Sequence, residues 1–186
     1  MQTEITKKLF TVDEYYRMAD AGILGPEERT ELIEGEIIQM SGINQRHFSC
    51  VNRMTDVFTS AFKGRAIVSV QGTLRLNNYN EPMPDLVLLE PRADYYASER
   101  HTPADTFLVV EVSDTTLRFD RRIKVPLFAA AGIREVWIAD LQENLLLVFR
   151  DPADKDYKFK LSLSRDQSVS LLAFPDVTFQ VAELIG

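Results

Sequence analysis

Two acidic residues border or interrupt apolar segments that are typical of sheet strands. Glu111 interrupts the apolar run 107–112, and Asp85 directly precedes the apolar run 86–89. A buried carboxylate is costly unless it is paired, protonated or bound to a metal. If the two strands are neighbours in a sheet, the carboxylates lie close together and repel each other unless a divalent cation lies between them. The spacing therefore points to a magnesium site.

A structural explanation of the same residues stays open. Asp85 could mark the turn before a strand, and Glu111 could pair with an arginine, because single acidic residues in strands often have only a structural role. Lys124 follows Asp120 by four residues on the next predicted helix, off its apolar stripe. From helical spacing alone, this i,i+4 pair is expected to be a solvent-exposed salt bridge.

Capping and periodicity signals predict the first elements that would position these residues. A capping box begins an amphipathic helix over about residues 11–22. Residues 30–40 are predicted to pair as a hairpin around the Glu34-Gly35 turn. Residues 44–62 repeat apolar side chains every three or four positions, which indicates a longer amphipathic helix.

The rest of the chain is predicted to be mainly strands. A further helix begins near Phe119 and ends before Gly132, and Pro126 should kink it or move its start because proline lacks a backbone donor. The result is one α/β domain, residues 1–186, in which helices flank a mixed sheet and strands follow at the C-terminal end. The predicted strands are 66–70, 73–76, 85–90, 107–112, 135–139, 145–149 and a half-solvated 157–164.

Composition restricts the class of protein. The 186 residues are 45% hydrophobic and 26% charged, as expected of one soluble domain. No apolar run approaches the roughly 18 residues of a membrane span, and the N-terminal residues do not resemble a secretion signal. Cys50 is the only cysteine, so no disulfide can form within the chain. A cytoplasmic protein with no membrane partner is therefore expected. A net charge of −7 argues against broad, nonspecific binding to nucleic acid, so any such site must be local.

Six short blocks, in order and over nearly the whole chain, resemble the PD-(D/E)XK nuclease pattern. The resemblance is to the bacterial restriction-endonuclease-like family in the variant whose lysine has migrated to the helix after the glutamate strand. Six ordered blocks are far more specific than a Pro-Asp dipeptide alone. The blocks are 31–36 (ELIEGE), His47, 84–88 (PDLVL), 110–113 (VEVS), Asp120 with Lys124, and 131–138 (AGIREVWI).

The resemblance implies a restriction-endonuclease-like fold and divalent-metal-dependent hydrolysis of phosphodiester bonds, with Mg²⁺ or Mn²⁺ as cofactor and DNA as the expected substrate. Asp85 and Glu111 would be metal ligands, with the carbonyl of Val112 as a third. Lys124 would replace the lysine that the parent pattern places two residues after the glutamate, where this chain has Ser113. Ser113 shares a strand face with Glu111 and is short, which leaves room for a long side chain from the next helix.

Several other residues could belong to the site. Glu34 or Glu31 could complete the metal shell, although charged hairpin residues are equally expected to face solvent. His47 lies on the apolar stripe of its helix, where a buried, hydrogen-bonded histidine is more common than an active-site one. Three residues are predicted to border the site as substrate-binding or supporting groups: Gln71, Ser113 and Asp120.

The sequence leaves alternatives in function. Arg118, Arg121 and Arg122 concentrate positive charge near Lys124 and could attract a phosphate, although such clusters are more often a solvated helix face. The acidic net charge and Ser113 in place of lysine also suit a non-catalytic nucleic-acid-binding or interaction domain of the same fold. A metal-dependent hydrolase of small phosphate esters is a third hypothesis. A homodimer is expected because two symmetric subunits most simply make two cuts in a duplex.

Overall fold

A computed structural model describes residues 6–25, 27–40 and 42–186. No helix in these ranges is long and apolar enough to cross a membrane. The helices are α1 (Val12–Asp20), α2 (Gln45–Ala61), α3 (Leu117–Phe119), α4 (Val125–Ala130) and α5 (Val181–Ile185), with a π-helical turn, Asp120–Lys124, between α3 and α4. The strands are β1 (Thr30–Ile33), β2 (Glu36–Gln39), β3 (Ile67–Val70), β4 (Leu86–Leu89), β5 (Thr106–Ser113), β6 (Glu135–Asp140), β7 (Leu145–Ala153), β8 (Asp156–Leu163), β9 (Ser168–Ser170) and β10 (Thr178–Gln180).

A six-stranded mixed sheet forms the centre of the fold, in the order β3-β4-β5-β6-β7-β8. Neighbouring strands run antiparallel except β5 and β6, which are parallel. The parallel pair needs a crossover connection, and α3, the π turn and α4 supply it. The mixed sheet flanked by helices confirms the predicted fold class.

The two faces of the sheet are covered by different helices. On one face, α2 and α5 pack against alternate strand residues such as Leu86 and Leu88. On the other face, α4 packs against the intervening residues, including Val87 and Leu89. Strand β4 is therefore buried on both faces, which explains its uninterrupted apolar sequence.

The N-terminal elements form as the local signals predict. Thr11 and Glu14 make the reciprocal capping-box hydrogen bonds at the start of α1. Strands β1 and β2 pair with Ile33 opposite Glu36, so Glu34 and Gly35 form a two-residue turn with φ values of 51° and 76°. At Gly35 a Cβ would lie 2.8 Å from the Cβ of Leu9, so only glycine fits there without displacement.

One strand prediction was wrong, and the prediction for β8 was confirmed except for the burial of its apolar face. Residues 73–76 are not a sheet strand, because Leu74 and Leu76 donate their N–H groups to Pro82 and Asn80 within a local loop. In β8, apolar and polar residues alternate as predicted, but the apolar residues Phe159 and Leu161 remain 60% and 44% exposed. Strand β8 is the last strand of the sheet, and in the described part of the chain no helix covers those two side chains. Helix α5 was not predicted at all.

Pro126 does not break the third helical segment. It lies in the first turn of α4, directly after the π turn, where proline is tolerated. The N–H of Val125 bonds to the carbonyl of Asp120, five residues back, as in a π-helix. The wider turn connects α3 to α4, and the α-helical segment α4 starts at Val125, directly before the proline, in agreement with the predicted later start.

One buried carboxylate in the sheet is fully satisfied by its surroundings. Glu135 Oε1 accepts hydrogen bonds of 2.8 Å from Trp137 Nε1 and from Arg150 Nε, and Oε2 accepts one of 2.7 Å from the Leu172 N–H. This cluster ties β6 to β7 and to the residues after β9. Its role is structural because every polar atom of the carboxylate has a partner.

Glu135→Ala should lower the free energy of unfolding by about 3–5 kcal/mol, since it leaves the partly buried Arg150 charge and two N–H donors without their acceptor. Urea denaturation monitored by the fluorescence of Trp137 measures the change. Glu143→Ala, at an exposed position, is the control and should change stability by less than about 0.5 kcal/mol. Equal effects of the two substitutions would contradict the assigned role of Glu135.

Candidate active site

The end of the sheet where β4 begins and β5 ends carries the two acidic residues. In the antiparallel β4–β5 pair Leu86 lies opposite Val110, and continuing this register places Asp85 beside Glu111. Asp85, Glu111 and Lys124 are only 6%, 3% and 4% exposed. The structure therefore brings the three predicted catalytic residues to one largely buried place.

Three neighbours hold the carboxylate of Asp85. Oδ2 accepts a 2.9 Å hydrogen bond from the Val112 N–H and lies 3.0 Å from Nε2 of His47. Oδ1 accepts a hydrogen bond of 3.3 Å from Nε2 of Gln71. The predicted site residues His47 and Gln71 thus lie beside Asp85, and they fix the orientation of its carboxylate.

Lys124 joins two carboxylates from different parts of the fold. Its Nζ lies 3.0 Å from Oε2 of Glu31 and 3.2 Å from Oε1 of Glu111. Glu31 also accepts a hydrogen bond of 3.2 Å from the Met83 N–H. Although Lys124 is close, Oε1 of Glu111 has no aligned hydrogen-bond partner among the described residues. Glu111 therefore retains a buried oxygen that can accept a further ligand.

The surroundings shift the pKa values of the pair in the same direction. Burial raises the pKa of Glu111 well above its ordinary value; the nearby Lys124 opposes this shift, and the charges of Asp120 and Asp85 add to it. Burial by itself would lower the pKa of Lys124, but Glu111 and Glu31 outweigh burial and raise it above its ordinary value. A cation next to Glu111 would favour its ionised form.

Asp120 and Lys124 do not form the predicted solvent-exposed salt bridge. Both are buried, and Asp120 instead accepts hydrogen bonds of 2.7 Å from the hydroxyls of Ser113 and Thr116. The π turn causes the difference, because its i→i+5 bonding alters the angular spacing of residues four apart. The hydroxyl of Ser113 bonds to Asp120, and the side chain of Lys124 reaches Glu111.

Glu34 does not reach the site, and its predicted role as a metal ligand was wrong. Its side chain is exposed in the β1–β2 turn, where its N–H donates a 2.7 Å hydrogen bond to Oδ1 of Asn80. Glu31 lies three residues earlier, about 10 Å along an extended chain. At this turn, the Gly35 N–H donates a hydrogen bond to the Tyr79 carbonyl. The turn is therefore held at the end of the hairpin that lies away from Glu31.

Asp85 and Glu111 line a cavity of about 600 Å³. One wall consists of β2 and the residues after it, and the other of α3 and the π turn. Arg29, Asn44 and Asp114 are among the lining residues that the sequence did not indicate. Asn44 caps α2 and also donates to Asp114; a capping signal identifies the first role, but no local pattern shows the second.

The donor set fits a Mg²⁺ ion. Asp85 and Glu111 supply two carboxylates, and the Val112 carbonyl faces the same strand edge as its N–H, which bonds to Asp85. In the described part of the chain no group of three His, Cys, Asp or Glu side chains forms a metal cluster. The two carboxylates of Asp85 and Glu111 suit Mg²⁺, which is usually held by one or two carboxylates together with waters and phosphates.

Comparison with known proteins agrees with the fold. The family Uma2, described as putative restriction endonuclease, matches residues 12–182. A crystal structure of a putative nuclease belonging to DUF820 from Anabaena variabilis ATCC 29413 superposes with a TM-score of 0.74 and 17% identity, covering 95% of this chain and 97% of that one. No functionally curated protein matches the chain. Because the family match covers most of its length, this chain belongs to the Uma2 family of putative restriction endonucleases.

Proposed function

We propose that this protein is a divalent-metal-dependent nuclease that hydrolyses phosphodiester bonds in DNA. One observation carries the proposal: Asp85, Glu111 and Lys124 meet at the buried end of β4 and β5, facing a cavity. Membership of the Uma2 family and the similarity to a protein described as a putative nuclease support the reaction class. The description of the family as restriction endonucleases favours DNA as substrate.

Asp85 and Glu111 would hold Mg²⁺ or Mn²⁺, with the Val112 carbonyl as a third ligand. When bound, the ion would polarise the scissile phosphate and make a bound water more acidic. His47, Gln71 and the Val112 N–H would keep the Asp85 carboxylate in the orientation that coordination needs.

Lys124 would stabilise the negative charge that develops on the phosphate in the transition state. Its pairing with Glu31 and Glu111 keeps the ammonium charged and limits its movement. Asp120, held by Ser113 and Thr116, would support Lys124 indirectly by fixing the π turn. Self-association as a homodimer stays a prediction.

Asp85→Asn should reduce Mn²⁺-dependent cleavage of DNA by about 100-fold or more, since it removes a charged ligand at the reacting phosphate. A pool of supercoiled plasmid and single-stranded DNA, with and without Mn²⁺, provides the assay. Glu34→Gln is the matched control and should keep full activity because Glu34 lies in the exposed hairpin turn. DNA binding by folded wild-type protein with no cleavage of any DNA in the pool in the presence of Mn²⁺ would favour the non-catalytic alternative.

Mn²⁺ should raise the Tm of the wild-type protein by about 5–10 °C at a concentration of roughly 100 Kd, because it binds only the folded state. Asp85→Asn should lose this increase, whereas Glu34→Gln should keep it. Differential scanning fluorimetry across a metal titration measures the effect. An unchanged wild-type Tm, or an equal increase in Asp85→Asn, would contradict the proposed metal site.

Lys124→Met should reduce cleavage by about 100-fold while preserving the Mn²⁺-induced increase in Tm, because Lys124 is not a ligand. The metal-free variant should also be about 3–5 kcal/mol less stable, since Glu31 and Glu111 lose their buried partner. Lys63→Met, at an exposed position, controls for the loss of a lysine. Full activity in Lys124→Met would exclude its proposed role.

A further inference from the structure

The proposed catalytic groups border the cavity. Asp85, Glu111 and Lys124 all line it and are almost completely buried. Its volume of about 600 Å³ is that of a pocket for a small ligand, within the usual ~300–1,000 Å³. A single strand fits a pocket of this size better than a duplex, whose second backbone and paired bases would have to stay outside it.

The walls of the cavity combine apolar side chains with arginines. Ile38, Met40 and Ile43 line one side, and Phe119 and Ile123 line the other. The flat faces of unstacked bases pack favourably against aromatic and apolar side chains. The walls therefore suit nucleotides whose bases are exposed, which is the condition of an unpaired strand.

Three arginines line the same cavity: Arg29, Arg118 and Arg122. None of them has an ion-pair partner among residues 6–25, 27–40 and 42–186. In a chain with a net charge of −7, this local group of unpaired cations is suited to an anion. Charge complementarity thus favours a phosphate-bearing occupant over an apolar one.

We infer that the cavity binds an unpaired strand of DNA and that Arg118 and Arg122 contact the phosphates next to the cleaved bond. The inference rests on the proposed function and names its substrate class. The phosphodiester must reach the bottom of the cavity while the flanking bases lie against its apolar walls. A duplex would have to be opened before it could do so.

Fluorescence anisotropy with a labelled single-stranded oligonucleotide tests this inference in EDTA, where metal-dependent cutting cannot occur. We expect the single strand to bind, and an unlabelled duplex of the same sequence to compete about tenfold more weakly. Arg118→Gln and Arg122→Gln should each weaken binding. Each should also reduce the slope of log affinity against log salt by about 0.7, the loss expected for one phosphate contact with a single strand.

Arg121→Gln is the matched control, because Arg121 is exposed on the same π turn but does not line the cavity. It should leave both the affinity and the salt slope unchanged. Equal competition by duplex, an equal effect of Arg121→Gln, or no binding of the single strand would overturn the inference. Since binding is measured without cleavage, these outcomes are distinct from a failure of the proposed nuclease activity.

Discussion

The buried ion pair of Lys124 with Glu111 and Glu31 is the interaction on which the arrangement of the site depends. Each partner comes from a different element: the π turn, strand β5 and strand β1. Separating the three charges in the interior would leave at least one without compensation, at a cost of several kcal/mol. The pair therefore links the hairpin, the sheet and the crossover helix in one relative position.

The π turn makes this pairing possible. In an ordinary α-helix, Asp120 and Lys124 would share one face and could pair with each other. Here Asp120 is bound by Ser113 and Thr116, and Lys124 is directed to Glu111 instead. A short residue at position 113 and a widened turn after α3 thus act together. Pro126 follows the widened turn, in the first turn of α4, where proline does not interrupt the helix.

Two buried glutamates in this sheet illustrate how structural and functional carboxylates differ. Glu135 has a partner for each oxygen and holds strands and the C-terminal segment together. Glu111 has an oxygen without a hydrogen bond, a raised pKa caused by burial, and a cavity in front of it. A buried carboxylate oxygen without a hydrogen-bond partner lowers the stability of the fold. Such groups are typical of sites that bind a ligand.

The sequence by itself determined the elements whose signals are local: the capping box of α1, the Glu34-Gly35 turn, and the apolar runs of β4 and β5 with Asp85 and Glu111 beside them. Only the tertiary structure decided that Glu31 rather than Glu34 contacts Lys124, that His47 and Gln71 hold Asp85, and that Phe159 in β8 stays exposed. Capping, turn chemistry and periodicity act over a few residues, so a sequence displays them directly. Contacts between residues distant in the chain depend on how layers pack and where a helix widens, and no local pattern records that geometry.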